Sequence, residues 1–299
     1  MTLRIGTRRS VLALAQAEVV RHLLAEQGVT AELVPMSTSG DEGVRPSDAP
    51  GGMKGLFVDA ILEALERDEI DIAVHSAKDL PADDEDGSVI AAVPQRADPS
   101  DVLILREPTL PAGAVIGTSS LRRRAQLLRA FPGVTVDDLR GNVDTRLRKV
   151  AEGEVDAAVL ASAGIARLGV EPDHAAPLSY DVMVPAPGQG ALAIQAREDD
   201  LETRTAVAAI DHAPSRSALE AERSLMWRLG GGCSLPLGAI ADVEGSRVEL
   251  LAVVVAPDGS RLVRAEVVSD SPEGAAAAAT KELIAGGAEE ILAALDDGS

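Results

Sequence analysis

The sequence predicts an α/β protein of two similar units in tandem, followed by a smaller α+β segment. Three observations predict it. Short apolar strands alternate with amphipathic helices from the first residues onward, the pattern of open α/β sheets. The motif Ile5-Gly6-Thr7-Arg8-Arg9 returns as Ile116-Gly117-Thr118-Ser119-Ser120, and Glu69-Ile70-Asp71-Ile72-Ala73-Val74 returns as Glu154-Val155-Asp156-Ala157-Ala158-Val159. From about Ala213 the character changes to a helix, a hairpin and an alanine-rich helical end.

Leu3–Thr7 reads as the first strand. Ser10 N-caps a helix whose apolar positions Leu12, Ala15, Val19 and Leu23 recur at helical spacing. Gly28 ends it, and Thr30–Met36 alternates as a second strand. Ser37–Lys54, rich in Gly, Ser, Asp and Pro, reads as a long loop. A helix is expected from Leu56 to Arg67, then a buried strand Asp71–Val74 that runs into His75-Ser76-Ala77-Lys78-Asp79. Strand, helix, strand, helix, strand predicts a parallel sheet. Its repetition suggests a hinged pair of units with a ligand cleft between them, because ligands sit at the carboxyl ends of strands in such sheets. In the last segment Ser217 and Glu220 read as a capping box opening a helix to Leu229. Arg247–Val255 and Arg261–Val268 form a hairpin across Pro257-Asp258-Gly259, and Pro272–Leu295 is helical with a break at Gly286-Gly287.

Composition narrows the function. A formal net charge of −20 over 299 residues opposes general affinity for nucleic acid or anionic membranes. The 1% aromatic content leaves little for stacking single-stranded bases. No apolar run approaches the ~18–20 residues of a transmembrane helix, and the N-terminus lacks signal-peptide regions. One cysteine cannot make an internal disulfide, and a cytoplasmic protein is expected. Yet Arg122, Arg123, Arg124, Arg140, Arg146 and Arg148 crowd into one stretch. Arginine forks suit carboxylates, so an acidic chain with a local arginine cluster points to a small anionic ligand.

Arg122 and Arg123 fall in the first turn of a helix after Ser120, where the helix dipole disfavours cations unless an anion sits opposite. Pairing with internal carboxylates is the alternative. Arg140 at a strand end and Arg146 in the next helix flank Gly141 and Asn142, while Arg8 and Ser10 hold the matching turn in the first unit. Asp79 closes a buried strand beside Lys78; it either caps the next segment or stays ionised to stabilise a substrate cation or pass protons. Cys233 follows Gly230-Gly231-Gly232, which favours an exposed loop thiol, an attachment point or nucleophile, over a buried small hydrophobe. His22, His75, His174 and His212 show no metal-ligand spacing, so no metal is expected.

In order and spacing, seven segments together resemble the porphobilinogen deaminase (hydroxymethylbilane synthase) family: Arg4–Arg8 with Ser10, Lys54-Gly55-Leu56-Phe57, His75–Pro81, Gly117–Arg123, Leu139–Val143, Pro187-Gly188-Gln189-Gly190 and Gly231-Gly232-Cys233. The resemblance implies two domains built like periplasmic binding proteins plus a small α+β third domain. On this chain it implies 1–95 with 191–212, then 96–190, then 213–299. It implies a dipyrromethane cofactor held covalently on Cys233 and condensation of four porphobilinogen molecules onto it with loss of ammonia. Release of hydroxymethylbilane by hydrolysis follows. Asp79 falls on the catalytic aspartate; Arg8, Ser10, Lys54, Lys78, Ser120, Arg122, Arg123, Arg140, Arg146, Arg167 and Gln189 fall on positions that bind cofactor and substrate carboxylates. Porphobilinogen is the expected partner and a monomer the expected state. The alternatives are a solute- or effector-binding module of the same fold, which needs neither Cys233 nor Asp79, and a thiol hydrolase using Cys233.

Overall fold

A computed structural model describes residues 1–36, 55–82, 87–231 and 235–296. The loop expected over 37–54 therefore lies outside the described residues, as do Lys54 and Cys233.

In chain order the elements begin β1 (Thr2–Arg8), α1 (Val11–Glu26), β2 (Thr30–Met36), α2 (Gly55–Glu66), β3 (Ile72–Ser76) and β4 (Ser88–Ala92). There follow β5 (Asp101–Leu105), β6 (Val115–Gly117), α3 (Leu121–Ala130), β7 (Thr135–Asp137), α4 (Val143–Ala151), β8 (Ala157–Ala161), α5 (Ser162–Leu168) and β9 (Ala175–Pro177). Then come β10 (Leu192–Arg197) and α6 (Leu201–Ala208). The last segment holds α7 (Ala213–Arg228), β11 (Leu237–Glu244), β12 (Arg247–Val255), β13 (Leu262–Ser269), α8 (Pro272–Ala285) and α9 (Ala288–Asp296).

The chain divides into two compact units, Met1–Arg96 with Ala191–Arg216, and Ala97–Gly190 with Ser217–Ser299. The first is built on a five-stranded sheet of order β2-β1-β3-β10-β4, the second on one of order β7-β6-β8-β5-β9. β11-β12-β13 form a separate three-stranded antiparallel sheet. The α/β architecture is thus the expected one, with one correction to strand direction. β1 runs parallel to β2 and β3, but β10 is antiparallel to both β3 and β4; β5 is likewise antiparallel to β8 and β9. The sheets are mixed because β10 does not follow from a helical crossover within its own sheet. It arrives after the chain has built 97–190, so the constraint that makes βαβ neighbours parallel does not act on it.

The repeat seen in the sequence holds at the level of register. Ile5 and Gly6 pair with Ile72 and Ala73; Ile116 and Gly117 pair with Ala157 and Ala158. Asp71 accepts from Arg4 N at 2.7 Å and Asp156 accepts from Val115 N at 2.9 Å, so the echoed aspartates secure the starts of equivalent strands. The antiparallel insertions match as well: Leu192 lies opposite Ser76, the last residue of β3, and Asp101 lies opposite Ala161, the last of β8. Pro35 and Pro177 sit on the edge strands β2 and β9, where a missing N–H disrupts no central ladder.

Each unit has its own core. Leu3, Ile5, Val20, Leu24, Ile72, Val74 and Ile194 fill the first around α1. In the second, Leu103, Ile116, Leu127, Val136 and Val159 pack on one face of the sheet, and Ile104, Leu139, Val150 and Leu160 on the other. A further cluster joins Ala125 of α3 and Val184 to Ile240, Val253 and Val255 of the three-stranded sheet.

One helix start also differs from expectation. α7 begins at Ala213, a turn before Ser217, so Ser217 and Glu220 lie inside the helix and form no capping box. Pro214 fits the first turn without loss of a hydrogen bond. His212 supplies the cap, with its Nδ1 2.8 Å from Ser215 Oγ and accepting from Ser215 N at 3.3 Å.

Candidate active site and family

The candidate residues of the first unit gather at the carboxyl ends of β1 and β3. Arg8 is the last residue of β1 and Ser10 caps α1, its hydroxyl accepting from Ala13 N at 3.2 Å. β3 ends at Ser76, and a single 3-10 turn, Ala77–Asp79, carries Lys78 and Asp79. Ala77 N donates to Ala191 O at 3.0 Å, which anchors the turn, and both Lys78 and Asp79 are half-buried. Gln16 on α1 reaches Ser76 Oγ at 3.4 Å. His75, buried behind this turn, has its pKa lowered to about 4 by burial, with the Asp79 charge opposing the shift. Its imidazole is neutral at pH 7, so the local positive charge comes from Arg8 and Lys78.

In the second unit the candidates surround the carboxyl ends of β6, β7 and β8. Ser120 caps α3, accepting from Arg123 N. Arg122 and Arg123 follow in the first turn yet are only 4% and 6% exposed. An internal carboxylate offsets the unfavourable helix end: Asp101, 0% exposed. Its Oδ2 lies 2.8 Å from Arg122 Nη1, and its Oδ1 lies 2.7 Å from Arg123 Nη2. Arg122 also donates to Val184 O at 2.6 Å, and Arg123 to Val159 O at 3.0 Å. Burial alone would raise the Asp101 pKa; attraction to both arginines and hydrogen bonds from Arg123 and Gln189 hold it well below the usual carboxylate range. Arg122 is lowered by burial and by Arg123, against the pull of Asp101.

Gln189 is fully buried, and its amide donates to Pro99 O at 2.7 Å and Asp101 Oδ1 at 2.9 Å. The carboxylate it holds is therefore an internal one. Arg146 donates to Gly141 O at 2.8 Å, and its pKa is lowered by burial and then by repulsion from Arg123, which places it in the same positive field. Arg167 donates to Gly190 O at 2.7 Å; burial lowers it to about 10, and no carboxylate among the described residues pairs with it. Arg140 is the outlier, exposed and paired with its neighbour Asp138 at 2.7 Å.

Asp101 was missed in the sequence because its partners lie in a helix well along the chain. The signal was an aspartate opening the apolar run Val102-Leu103-Ile104-Leu105, where a buried strand begins with an acid. Glu222 was missed as well. It falls on the apolar stripe Leu219, Leu225 and Met226 of α7, and an acid on such a stripe is buried; it is 0% exposed.

Residues 3–205 match the family model described as porphobilinogen deaminase, dipyromethane cofactor binding domain, and residues 217–285 match the C-terminal domain of the same enzyme. The chain belongs to the porphobilinogen deaminase family. The porphobilinogen deaminase of Acidithiobacillus ferrooxidans is 45% identical over 298 residues, covering 97% of each chain. That of Desulforudis audaxviator is 47% identical over 303 residues, covering 99% of this chain and 98% of its own. Among solved structures, a periplasmic substrate-binding protein of an ABC transporter from Coxiella burnetii matches with a TM-score of 0.41 and 18% identity, over 71% of this chain and 93% of that one.

A porphobilinogen deaminase of this kind binds a dipyrromethane cofactor. The second unit suits a group that carries several carboxylates. Among the described residues the guanidiniums of Arg122, Arg123, Arg146 and Arg167 have one carboxylate, that of Asp101, within ion-pairing distance of any of them. The Nε atoms of Arg122 and Arg123 are buried without a hydrogen-bond partner among the described residues. Among those residues no helix is long and apolar enough to cross a membrane.

Proposed function

We propose that this chain condenses four porphobilinogen molecules head to tail with release of ammonia and hydrolyses the product to hydroxymethylbilane, with Asp79 as catalytic residue and Cys233 as the cofactor's attachment point. The observation that carries the reading is the arginine set of the second unit: Arg122 and Arg123 buried on Asp101, and the half-buried Arg146 and Arg167 with no ion-pair partner among the described residues. Each pyrrole brings an acetate and a propionate, so a growing chain brings the negative charge this cluster lacks.

When bound, the dipyrromethane supplies the pyrrole α-carbon to which new units are joined. The protein's own residues bind, orient and stabilise. Arg122, Arg123, Arg146 and Arg167 take carboxylates, as do Arg8, Lys54 and Lys78, with Ser10 and Ser120 donating from the capping positions; Arg140 joins them on leaving Asp138. Gln189 acts by holding Asp101. Loss of ammonia leaves positive charge on the substrate's methylene-pyrrole system. The Asp79 carboxylate accepts from the pyrrole N–H and offsets that charge. It would also take the proton that leaves the α-carbon of the attacking pyrrole ring once the new carbon–carbon bond has formed. The neutral His75 behind it adds no competing positive charge.

We assign the segment 213–299 as the third domain, bearing Cys233, and the protein as a cytoplasmic monomer. Its exposed large apolar side chains, such as Val11, Leu201, Trp227 and Val268, are spread over separate elements. Denaturing mass spectrometry tests the assignment. The purified chain is expected to carry an adduct of two-pyrrole mass that Cys233→Ala lacks, and Asp79→Asn is expected to keep the adduct and lose turnover. An unmodified thiol in active protein overturns the attachment, and near-normal turnover by Asp79→Asn overturns the catalytic assignment.

A further inference from the structure

One buried acid has no place in the reaction as derived. Glu222 sits in the middle of α7, fully buried. Its Oε2 accepts from Gly188 N at 2.6 Å, and its Oε1 accepts from Ala241 N at 2.8 Å, in β11. Burying a carboxyl group is unfavourable, and an apolar residue of similar volume fills such a site as well or better. The stability of α7 does not require an acid here. What the acid does is join three separate segments: the helix whose chain runs on to Cys233, the first strand of the three-stranded sheet, and the turn Ala186–Gly190.

That turn is held closely. Gly188 and Gly190 have φ of +74° and +86°, a backbone that L side chains rarely adopt. Gln189 N donates to Ala186 O at 2.9 Å. A Cβ on Gly190 would stand 2.5 Å from Ala97 O, so the turn lies directly against the segment that leads into Asp101. Its product is the placement of Gln189, whose amide reaches Asp101 Oδ1 at 2.9 Å. Asp101 in turn spreads its two oxygens over Arg122 and Arg123. An unbroken series of short hydrogen bonds and ion pairs therefore runs from α7 to the arginine pair.

We propose that Glu222 is a positioning residue for carboxylate recognition, acting through the 186–190 turn, Gln189 and Asp101 to hold Arg122 and Arg123 in place. The proposal rests on the deaminase reading. A glutamine at 222 keeps the volume but presents an amide N–H₂ to one of two backbone N–H groups, so one of the two contacts is lost. The turn loosens, Gln189 withdraws, and Asp101 is free to rotate. The arginine forks then meet ligand carboxylates in the wrong orientation, while Asp79 is untouched.

The test compares Glu222→Gln, Gln189→Met and the double variant as full-length purified chains. Each single variant is expected to raise KM for porphobilinogen about tenfold with kcat within about threefold, the signature of lost binding that is equal in ground and transition states. The fraction of chains carrying the two-pyrrole adduct by mass is expected to fall in both. The double variant should be no worse than the more severe single one, because residues in one series are not additive. A lowered Tm with unchanged KM and adduct in Glu222→Gln overturns the proposal, as does a roughly hundredfold KM effect in the double variant. If Glu222→Gln does not fold, Glu222→Asp, which keeps the charge and shortens the reach, takes its place; wild-type KM in both it and Gln189→Met is equally fatal. Absence of adduct and turnover in the wild-type chain would instead overturn the deaminase reading.

Discussion

Replacing Asp101 by asparagine removes one negative charge from between two buried guanidiniums and changes almost nothing else in shape. Asp101 is fully buried, with Arg122 at 2.8 Å and Arg123 at 2.7 Å. Removing one partner of a buried ion pair costs about 3–5 kcal/mol, since the partner charge stays buried and uncompensated. In a chain of this size 1 kcal/mol corresponds to about 2 °C in Tm, so the variant should melt about 6–10 °C lower at pH 7. The effect has a defined pH window. The folded-state pKa of Asp101 is depressed, so its stabilisation is present above the unfolded value, about 3.9, and is lost as pH falls below it. The Tm gap should therefore be constant from about pH 5 to 8 and shrink below about 4.

The assay is differential scanning calorimetry in two backgrounds, the primed chain and the unprimed Cys233→Ala chain. The primer's carboxylates can replace the missing charge only in the first, so the loss should be smaller there. A shift below 2 °C in the unprimed background, or equal losses in both, would refute the reasoning that Asp101 stands between these arginines as their internal anion.

Three further outcomes follow from the same geometry. Arg167→Lys should leave a cation that deprotonates readily, because the burial that lowers Arg167 to about 10 starts from a lower reference for lysine; kcat/KM should then decline between pH 7 and 9 while the wild type holds steady. His75, with a folded pKa of about 4, binds its proton less readily than in the unfolded chain. Wild-type stability from urea titrations should thus fall by up to about 3 kcal/mol as pH drops from about 6.5 to 4, and His75→Gln should flatten that slope. Gly117→Ala would bring a Cβ within 2.6 Å of Leu139 Cδ2 and 2.8 Å of Leu139 Cβ, and should cost about 1–3 kcal/mol in the same titrations.

Local elements were legible because their causes are local. Ser10 caps α1, Gly28 follows its end, Thr30–Met36 is a strand, and Gly286-Gly287 separates α8 from α9. The parallel direction of β1, β2 and β3 was legible from the helices between them, but that of β10 and β5 was not, since a period of two residues is the same whether a strand runs parallel or antiparallel. The helix start at Ala213 was hidden because a histidine took the capping role that Ser217 advertised. For the candidate site, the sequence indicated where cations accumulate but not how they are compensated. Asp101 and the arginines meet only once β5 lies beside β8 with α3 packed on the sheet, and Gln189 reaches Asp101 only from a turn far along the chain.

The internal repeat bears on whether those charges serve the scaffold or the ligand. By strand register Asp101 and Leu192 are equivalent, each opposite the last residue of the central parallel strand of its unit. Counting from the capping serines Ser10 and Ser120, Arg122 and Arg123 correspond to Leu12 and Ala13. At these equivalent positions the first unit carries leucine, alanine and leucine, and the second two arginines and an aspartate that meet as buried ion pairs. Because the equivalent positions of the first unit are apolar, the repeat itself does not call for the charges. A buried triad also has little stability to offer over its apolar counterpart. What it adds is a pair of cations held at one helix end by a single anion, with net positive charge left for a ligand. The first unit lacks that charge at the corresponding corner and instead places Lys78 and Asp79 one turn beyond β3. On the proposed reading the two copies of one scaffold divide the work unevenly: the second supplies the buried arginine pair for carboxylates, and the first adds Asp79 at the reacting ring beside its own carboxylate-binding Arg8 and Lys78.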